Sequence, residues 1–505
     1  MTVHDRIEEM RSRAVKWFST MALEEKGTGI YTNSAYNREL KLEDMYFPAT
    51  YNAGNCLKLL GEYEELKDED KDQIAAFLNS YQRRDGIYRM KGMKEEDLTY
   101  PDFEYDDFHQ TNYAMGLLDS LDRDCLYSFD FLNRYNSIRK LDRWLGRRDM
   151  KAPWTEGNYV VNLASFYIRM IEKGNKKEQR RYKKLLNRLL LWHESMQDTD
   201  SGYWCEKGTD PVSAMAGASH NFHIYFYLNR PVPHYKKIID HCLTILGDGV
   251  SSACLDIDVV DVLCNFYKYG YRQEEIRDYL ETKLTTLLDY QNEDGGFSDT
   301  DKGIRTFDGW SVYEEPQGIS NCFATWFRCA AIGMIDSTLN PENAQKWHFR
   351  KGIGMGYFNK DYMKGGFRDE MLPPGPPPKA KKAWLSASSA KKEMNLDDNS
   401  GLSTEEISSV LIEKMSSSDL SEFDSEKIFA FKVKNKNGFF AIALSSEGVR
   451  SVPYSDNSYD VLLTISIGNL LNITKGQMKP VLAYGTKKLK INGDITLALK
   501  LQNLL

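Results

Sequence analysis

The sequence predicts a multidomain chain: an all-α toroid of paired helices, (α/α)6, over residues 1–368, followed by a small α/β domain over 401–505. Three observations predict it. Apolar side chains recur at helical spacing along the first 365 residues, the mark of packed helices. A turn of the form Gln, acid, Gly, aromatic interrupts them three times. Composition then changes abruptly at Pro373-Pro374-Gly375-Pro376-Pro377-Pro378, and beyond it apolar residues alternate with a period of two, as half-buried strands do.

From the N-terminus, the apolar pattern marks helices over Arg6–Met21, Tyr51–Leu60, Lys71–Tyr81, Val160–Ile171, Tyr182–Met196, Pro233–Leu246, Val259–Tyr269 and Glu274–Tyr290. Short Gly, Asn and Asp clusters separate them, and these residues favour turns. No comparable run of strict alternation stands among them. At about 30 residues per helical hairpin there is room for around twelve helices, a size suited to an α/α toroid.

The three repeated turns are Gln82-Arg83-Arg84-Asp85-Gly86-Ile87-Tyr88, Gln197-Asp198-Thr199-Asp200-Ser201-Gly202-Tyr203-Trp204 and Gln291-Asn292-Glu293-Asp294-Gly295-Gly296-Phe297. Glycine permits a positive φ just beyond a helix end. The Gln amide can bond exposed backbone groups there, with the aromatic packed across the turn. The pattern resembles the QW motif of squalene and terpene cyclases and the equivalent turns of protein prenyltransferase β-subunits. That resemblance implies an α/α toroid architecture; the turns themselves do no chemistry.

Residues 369–400 read as a Pro/Lys/Ser-rich linker, extended where prolines succeed one another. Past it, Phe429–Val433, Asn435–Gly438 and Ala441–Gly448 read as strand, turn, strand, and Asp460–Ser466 as a third strand. The segment closes with Gly476-Gln477-Met478-Lys479-Pro480, Ala483-Tyr484-Gly485 and Lys488-Leu489-Lys490-Ile491-Asn492-Gly493-Asp494. In order and spacing these elements resemble the end of the sterol carrier protein type-2 family. The resemblance covers about a fifth of the chain. It implies a five-stranded sheet and helices enclosing an apolar tunnel for sterols or acyl lipids, with Leu470, Leu471, Met478 and Tyr484 as lipid-contacting positions.

The length of 505 residues suits two or three domains. With 41% hydrophobic and 28% charged residues the composition is that of an ordinary globular protein. The net charge of −7 gives no reason to expect nucleic acid. Eight cysteines without CxxC pairs suit free thiols in a reducing compartment. No apolar run reaches the ~18 residues of a membrane span, and the polar N-terminus is unlike a signal peptide. The expected location is the cytoplasm, with at most transient membrane contact, and the final Asn503-Leu504-Leu505 departs from the Ser-Lys-Leu kind of peroxisomal signal. Oligomeric state is not legible.

The most suggestive stretch for chemistry is Asp256-Ile257-Asp258, where a loop enters an apolar helix. It resembles the Asp-x-Asp-Asp element of proton-initiated terpene cyclases, which implies Asp258 as proton donor and Asp256 as the neighbour that orients it. Such chemistry needs a carboxylic acid kept neutral by burial. Val259 stands where the third aspartate would be, and the bland alternative is a helix-start acid favoured by the dipole. His109, Glu156, Asn158, His220 and Asp258 could meet at one mouth of a toroid. Catalytic candidates are thus Asp258, Asp256, His109 and Glu156; substrate-binding candidates are Trp154, Asn158, His220, Trp310, Phe323 and Trp326, whose aromatic faces suit cations.

No metal or cofactor is expected. Aspartate occupies the position at which a prenyltransferase would have its zinc-binding cysteine, and Asp106-Asp107 lacks the remainder of a diphosphate-binding Asp-Asp-x-x-Asp. The leading expectation is a terpene-cyclase-like enzyme acting on a hydrophobic isoprenoid, with a tethered lipid carrier. Its competitors are a non-catalytic lipid or sterol binding or transfer protein, and a carbohydrate-active toroid with Glu314, Glu315 and Asp308 near Trp310 as its acids.

Overall fold

The computed structural model describes residues 2–95, 98, 102–245, 250–300, 305–307, 310–364, 404–416, 420, 423, 425–433, 438–455, 458–474, 489–493 and 497. The chain divides into two compact units, Met1–Gly375 and Pro376–Leu505. The linker expected over 369–400 lies outside the described residues.

The first unit contains α1 (Val3–Met21), α2 (Ala35–Leu40), α3 (Tyr46–Leu59), α4 (Asp68–Asn79), α5 (Glu104–Ser120), α6 (Ile138–Leu145), α7 (Pro153–Lys173), α8 (Lys176–Met196), α9 (Pro211–Tyr227), α10 (Tyr235–Ile245), α11 (Ala253–Phe266), α12 (Gln273–Asp289) and α13 (Cys322–Leu339). Thr2 and Asn175 begin α1 and α8 with capping boxes, each satisfying backbone donors that have no helical partner. Ser252 and Asn321 accept from the first turns of α11 and α13, and prolines stand in the first turns of α7 and α9, where a missing N–H costs nothing.

Helices α3, α5, α7, α9, α11 and α13 pack in succession, and α13 packs back on α3. These six are buried on most of their surface, and α13 is buried from Cys322 to Thr338. By contrast α4, α8, α10 and α12 pack on α3, α7, α11 and α13. Among these, α12 uses one stripe, Ile276, Leu280, Lys283, Leu284 and Leu287, at the spacing of a single helix face.

All three repeated turns are built alike. Gln82 Nε2 donates to the Gly86 carbonyl at 3.0 Å and to the Tyr127 carbonyl at 3.0 Å. Gln197 does the same to Gly202 at 2.8 Å and Pro233 at 3.0 Å, and Gln291 to Gly295 at 2.7 Å and Met10 at 3.0 Å. One amide therefore satisfies its own turn and staples a neighbouring segment to it. The three glycines have φ of 92°, 84° and 96°, the left-handed region in which a side chain is strained.

Two features depart from expectation. Strands β1 (Arg305–Phe307) and β2 (Trp310–Glu315) pair as an antiparallel hairpin inside the helical unit, where no strand was expected. Helices α2, α5, α6, α9 and α13 were not predicted: α2 and α6 are short, and α5, α9 and α13, buried on nearly every side, have no polar face to reveal their period.

In the second unit, α14 (Thr404–Ser416) precedes β3 (Lys427–Val433), β4 (Gly438–Ser445), β5 (Gly448–Val452) and β6 (Val461–Ile465), followed by α15 (Ile467–Thr474) and β7 (Leu489–Gly493). The five strands lie in the order β5-β4-β3-β6-β7. β3 and β6 are parallel and the other pairs antiparallel. Gly448 opens β5 rather than closing the preceding strand, since a turn at 446–447 divides them. Phe429, Phe431, Ile442, Leu444, Val461, Leu463 and Ile465 from the sheet meet Ile407, Leu411, Met415 and Leu470 from the helices in one apolar core.

The closest helix approach in the first unit rests on glycine. A Cβ on Gly217 of α9 would stand 2.1 Å from the Pro153 carbonyl oxygen of α7, and one on Gly157 would stand 2.2 Å from the Gly217 carbonyl oxygen. Gly217→Ala should therefore cost about 1–3 kcal/mol through forced separation. Gly352→Ala, whose Cβ would meet only Arg350 at 3.8 Å, should cost much less. Urea unfolding of the two variants is the check.

Candidate functional site

A cavity of about 470 Å³ opens where the N-terminal parts of α5, α7, α9, α11 and α13 come together. Helix α5 brings Tyr105, His109 and Tyr113 to its wall, α7 brings Trp154 and Asn158, α9 brings His220, and α13 brings Phe323 and Phe327. Met355 closes part of it from a later loop. Sequence reasoning expected His109, Glu156, Asn158, His220 and Asp258 at one mouth; of these His109, Asn158 and His220 line the cavity, joined by Trp154 and Phe323 from the substrate-binding candidates, whereas Glu156 and Asp258 do not line it. Sequence reasoning did not single out Tyr105 or Met355.

The polar groups of the wall are held from behind. His109 Nδ1 donates to the Tyr105 carbonyl at 2.9 Å, which fixes the proton on that nitrogen in the neutral ring. The Asn158 side chain donates to the Trp154 carbonyl at 3.1 Å, and the Asn158 backbone carbonyl accepts from the Asn162 side chain at 2.8 Å. Asn162 in turn accepts from Asn112 at 2.7 Å, and buried Arg350 donates to Asn112 Oδ1 at 2.7 Å. A polar chain thus runs from Arg350 through Asn112 to Asn162, each side chain pinning the next, and ends on the backbone of Asn158 at the cavity wall.

His220 Nε2 lies 3.0 Å from Asp258 Oδ1, and one turn further along both helices His223 Nε2 meets Asp261 Oδ2 in a short contact. Because 220 pairs with 258 and 223 with 261, α9 and α11 run parallel. Burial by itself would lower the His220 pKa, but the Asp258 carboxylate beside it, through charge and close contact, and Asp261 more remotely, raise it above 6.5. Both His220 ring nitrogens and Asp258 Oδ2 are buried without an aligned hydrogen-bond partner, so the 3.0 Å approach of His220 to Asp258 is a close ionic contact.

Asp256 does not act on Asp258. Its carboxylate receives Lys283 Nζ at 3.0 Å, Arg328 Nη1 at 2.7 Å and the Ser251 N–H at 3.0 Å, all three groups belonging to a buried ion cluster. The expected pairing fails for a geometric reason: residues two apart on a helix do not share a face, whereas Asp258 and Asp261, three apart, do. Glu156 also departs from the cavity. It meets Arg148 at 3.0 Å, and burial pushes its carboxyl above the usual range against that charge.

Trp326 is buried edge-on to Tyr113, ring centroids 5.5 Å apart, and stands behind the wall rather than in it. Trp310 is in β2, with its side chain outside the description. Glu315 is buried and accepts from Asn33 at 3.0 Å, so it is bound into the fold; Asp308 lies outside the described residues. No carboxylate lines the cavity among the described residues. Nor is any group of three His, Cys, Asp or Glu side chains placed to hold a metal among them.

In the second unit Leu470 is buried in the apolar core. The Leu471 side chain, Met478 and Tyr484 lie outside the described residues. No helix among the described residues is long and apolar enough to cross a membrane.

Comparison with known proteins bears on this second unit. The SCP-2 sterol transfer family matches residues 410–505. Over 81 residues the chain is 40% identical to "Sterol carrier protein 2" of Bos taurus and 37% identical to that of Homo sapiens. Each match spans 15% of this chain and 15% of the relative's own length. Palmitated SCP2L2 from Aedes aegypti, solved in solution, is 21% identical with a TM-score of 0.17, covering 20% of this chain and 92% of that one. The C-terminal unit is therefore SCP-2-like, and the family match, which begins at residue 410, gives the cyclase resemblance of the helices no support.

Two substitutions separate the aspartates. Asp256→Asn leaves Lys283 and Arg328 buried without their counter-charge and should cost about 3–5 kcal/mol in urea unfolding. Asp258→Asn should lower the His220 titration, followed by NMR of the ring protons, because only the more remote Asp261 is then left to oppose burial. In the native chain the stabilisation from a charged His220 is complete below 6.5. It is lost as pH rises through the raised value, and the variant should lack that loss.

Proposed function

We propose that this chain is a lipid-binding or lipid-transfer protein whose C-terminal unit holds a sterol or acyl lipid. The match of residues 410–505 to the SCP-2 sterol transfer family carries the reading. The five-stranded sheet with an apolar face under α14 and α15 supports it as a frame for an apolar ligand. The domain boundaries proposed are 1–368, 369–400 and 401–505.

For the helical unit we propose an (α/α)6 toroid. What supports it is the succession α3, α5, α7, α9, α11, α13 returning to α3, the parallel register of α9 and α11, and the three stapled turns. Its cavity of about 470 Å³ falls in the size range of small-molecule sites. Binding is favoured over proton-initiated cyclisation by one observation. A cyclising acid must stay neutral and reach its substrate, but Asp258 is not among the residues that line the cavity and lies 3.0 Å from His220, whose pKa that contact raises. The carbohydrate-active reading needs paired carboxylates, and the described cavity wall has none.

Organic extraction of the purified full chain, followed by mass spectrometry, is expected to yield a co-purifying sterol or acyl lipid. Sterols or fatty acids should displace a fluorescent fatty acid from it at one site per chain. Deleting residues 401–505 should abolish both results; binding that survives the deletion would move the lipid site into the helical unit. Incubation with squalene, oxidosqualene or geranylgeranyl diphosphate should return them unchanged. A cyclised product that vanishes in Asp258→Asn would replace carriage by cyclisation.

A further inference from the structure

A second cleft, of about 630 Å³, lies between the Gln82–Gly86 turn, the start of α5 and helix α6. We propose that it binds a phosphate-type oxyanion, either a soluble phosphate compound or the headgroup of a phospholipid. It shares no lining residue with the cavity at the helix mouths, so the inference is independent of the reading of that cavity and of the lipid carried by the second unit.

The case rests on charge that the protein leaves uncompensated. Seven basic and four acidic side chains line the cleft, in a chain whose net charge is −7. Three of the bases are matched. Arg89 forms a two-pronged pair with Asp107 at 2.6 and 2.7 Å, Arg83 meets Asp85 at 3.4 Å, and Arg148 meets Glu156 at 3.0 Å while stacking on Trp144 and Tyr159.

The remaining acids are occupied as well. Glu104 accepts from Tyr135 and from Trp144 Nε1, and Asp102 accepts the Glu104 N–H at 2.8 Å. That leaves Arg134, Lys140, Arg143 and Arg147, for which no acidic partner exists among the described residues. Lys140 donates only to the Asn133 carbonyl at 2.6 Å and Asn136 Oδ1 at 3.3 Å.

The arrangement suits an oxyanion. Lys140, Arg143 and Arg147 follow at intervals of three and four, which stacks them on one side of α6 and its continuation. Like charges so placed repel one another unless an anion lies between them. Helix α6 is fixed by the Ser137 cap and by buried Leu141, Trp144 and Leu145, so the basic rim is held on a rigid base. Planar guanidinium groups present paired donors that match phosphate oxygens. Ile138, exposed at the start of the same helix, gives the lipid-headgroup source a reason to be tested.

The test uses the full chain and pyrophosphate as probe, by titration calorimetry at low salt, with vesicle sedimentation as a second arm. Vesicles of pure phosphatidylcholine are compared with vesicles containing phosphatidic acid. Wild type should bind pyrophosphate saturably, or phosphatidic acid vesicles but not phosphatidylcholine; the first result marks a soluble ligand and the second a headgroup. The double variant Arg143→Gln, Arg147→Gln should weaken whichever binding is seen at least tenfold, with circular dichroism and melting unchanged because both side chains are exposed. The charge-matched Lys183→Gln, Lys184→Gln on exposed positions of α8 should leave it intact. Absence of binding in both arms overturns the proposal, as does equal loss in both double variants or no loss in the first.

Discussion

Arg328 is the group on which the mouth of the helical unit depends. Its guanidinium is fully buried and reaches Asp256 at 2.7 Å, the Ser298 carbonyl at 3.1 Å, the Asp299 carbonyl at 2.6 Å and the Ser251 carbonyl at 3.0 Å. One side chain on α13 thereby fixes the start of α11 and the segment that follows α12. Lys283 brings a second cation to the same carboxylate from α12, 3.0 Å from Asp256. A buried cation of this kind is tolerable only when every donor is used and a counter-charge is at hand, so the loops around it have little freedom to move. The N-cap of α11 and the approach of α13 to it, which define one side of the cavity, inherit that rigidity.

Much of the helical unit was legible in its punctuation. The Gln-to-Gly turns could be read because each element has a physical duty: an amide long enough to reach two carbonyls, a glycine able to take positive φ, an aromatic to cover the turn. All three perform those duties with nearly the same distances. The second unit was legible for a similar reason, since β6 keeps strict alternation with Val461, Leu463 and Ile465 inward. Elements that escaped were those whose surroundings erase their pattern. Helix α13 shows no polar stripe, β1 has only three residues, and β2 loses its alternation where Val312 and Tyr313 stand side by side.

Of the candidate site, position was easier to foresee than partnership. His109, Trp154, Asn158 and Phe323 converge because each stands in the N-terminal part of a helix of the same succession, and His220 meets them from the middle of α9. Which group meets which depends on rotation about each helix, and a local motif does not contain it. Lys283 and Arg328 did carry a signal: a single cation within an otherwise apolar helical stripe must have a buried counter-charge. Asp256, the nearest acid at the start of an apolar helix, would have been the natural partner to seek.

The two aspartates show how helical geometry redirects chemistry. Asp256 and Asp258 are separated by two residues, about 200° of helical rotation, and so serve opposite sides of α11. One pairs with Arg328 and Lys283, and the other with His220. Had the pair shared a face, mutual repulsion would have favoured a single shared proton and a neutral acid. Separated, each has basic neighbours of its own: Arg328 and Lys283 beside Asp256, and His220 beside Asp258. What lines the cavity is the imidazole of His220, its pKa raised by the neighbouring Asp258. A wall of that kind can donate a hydrogen bond or an ionic contact to a ligand's oxygen, a capacity that suits recognition of a polar group better than protonation of an alkene.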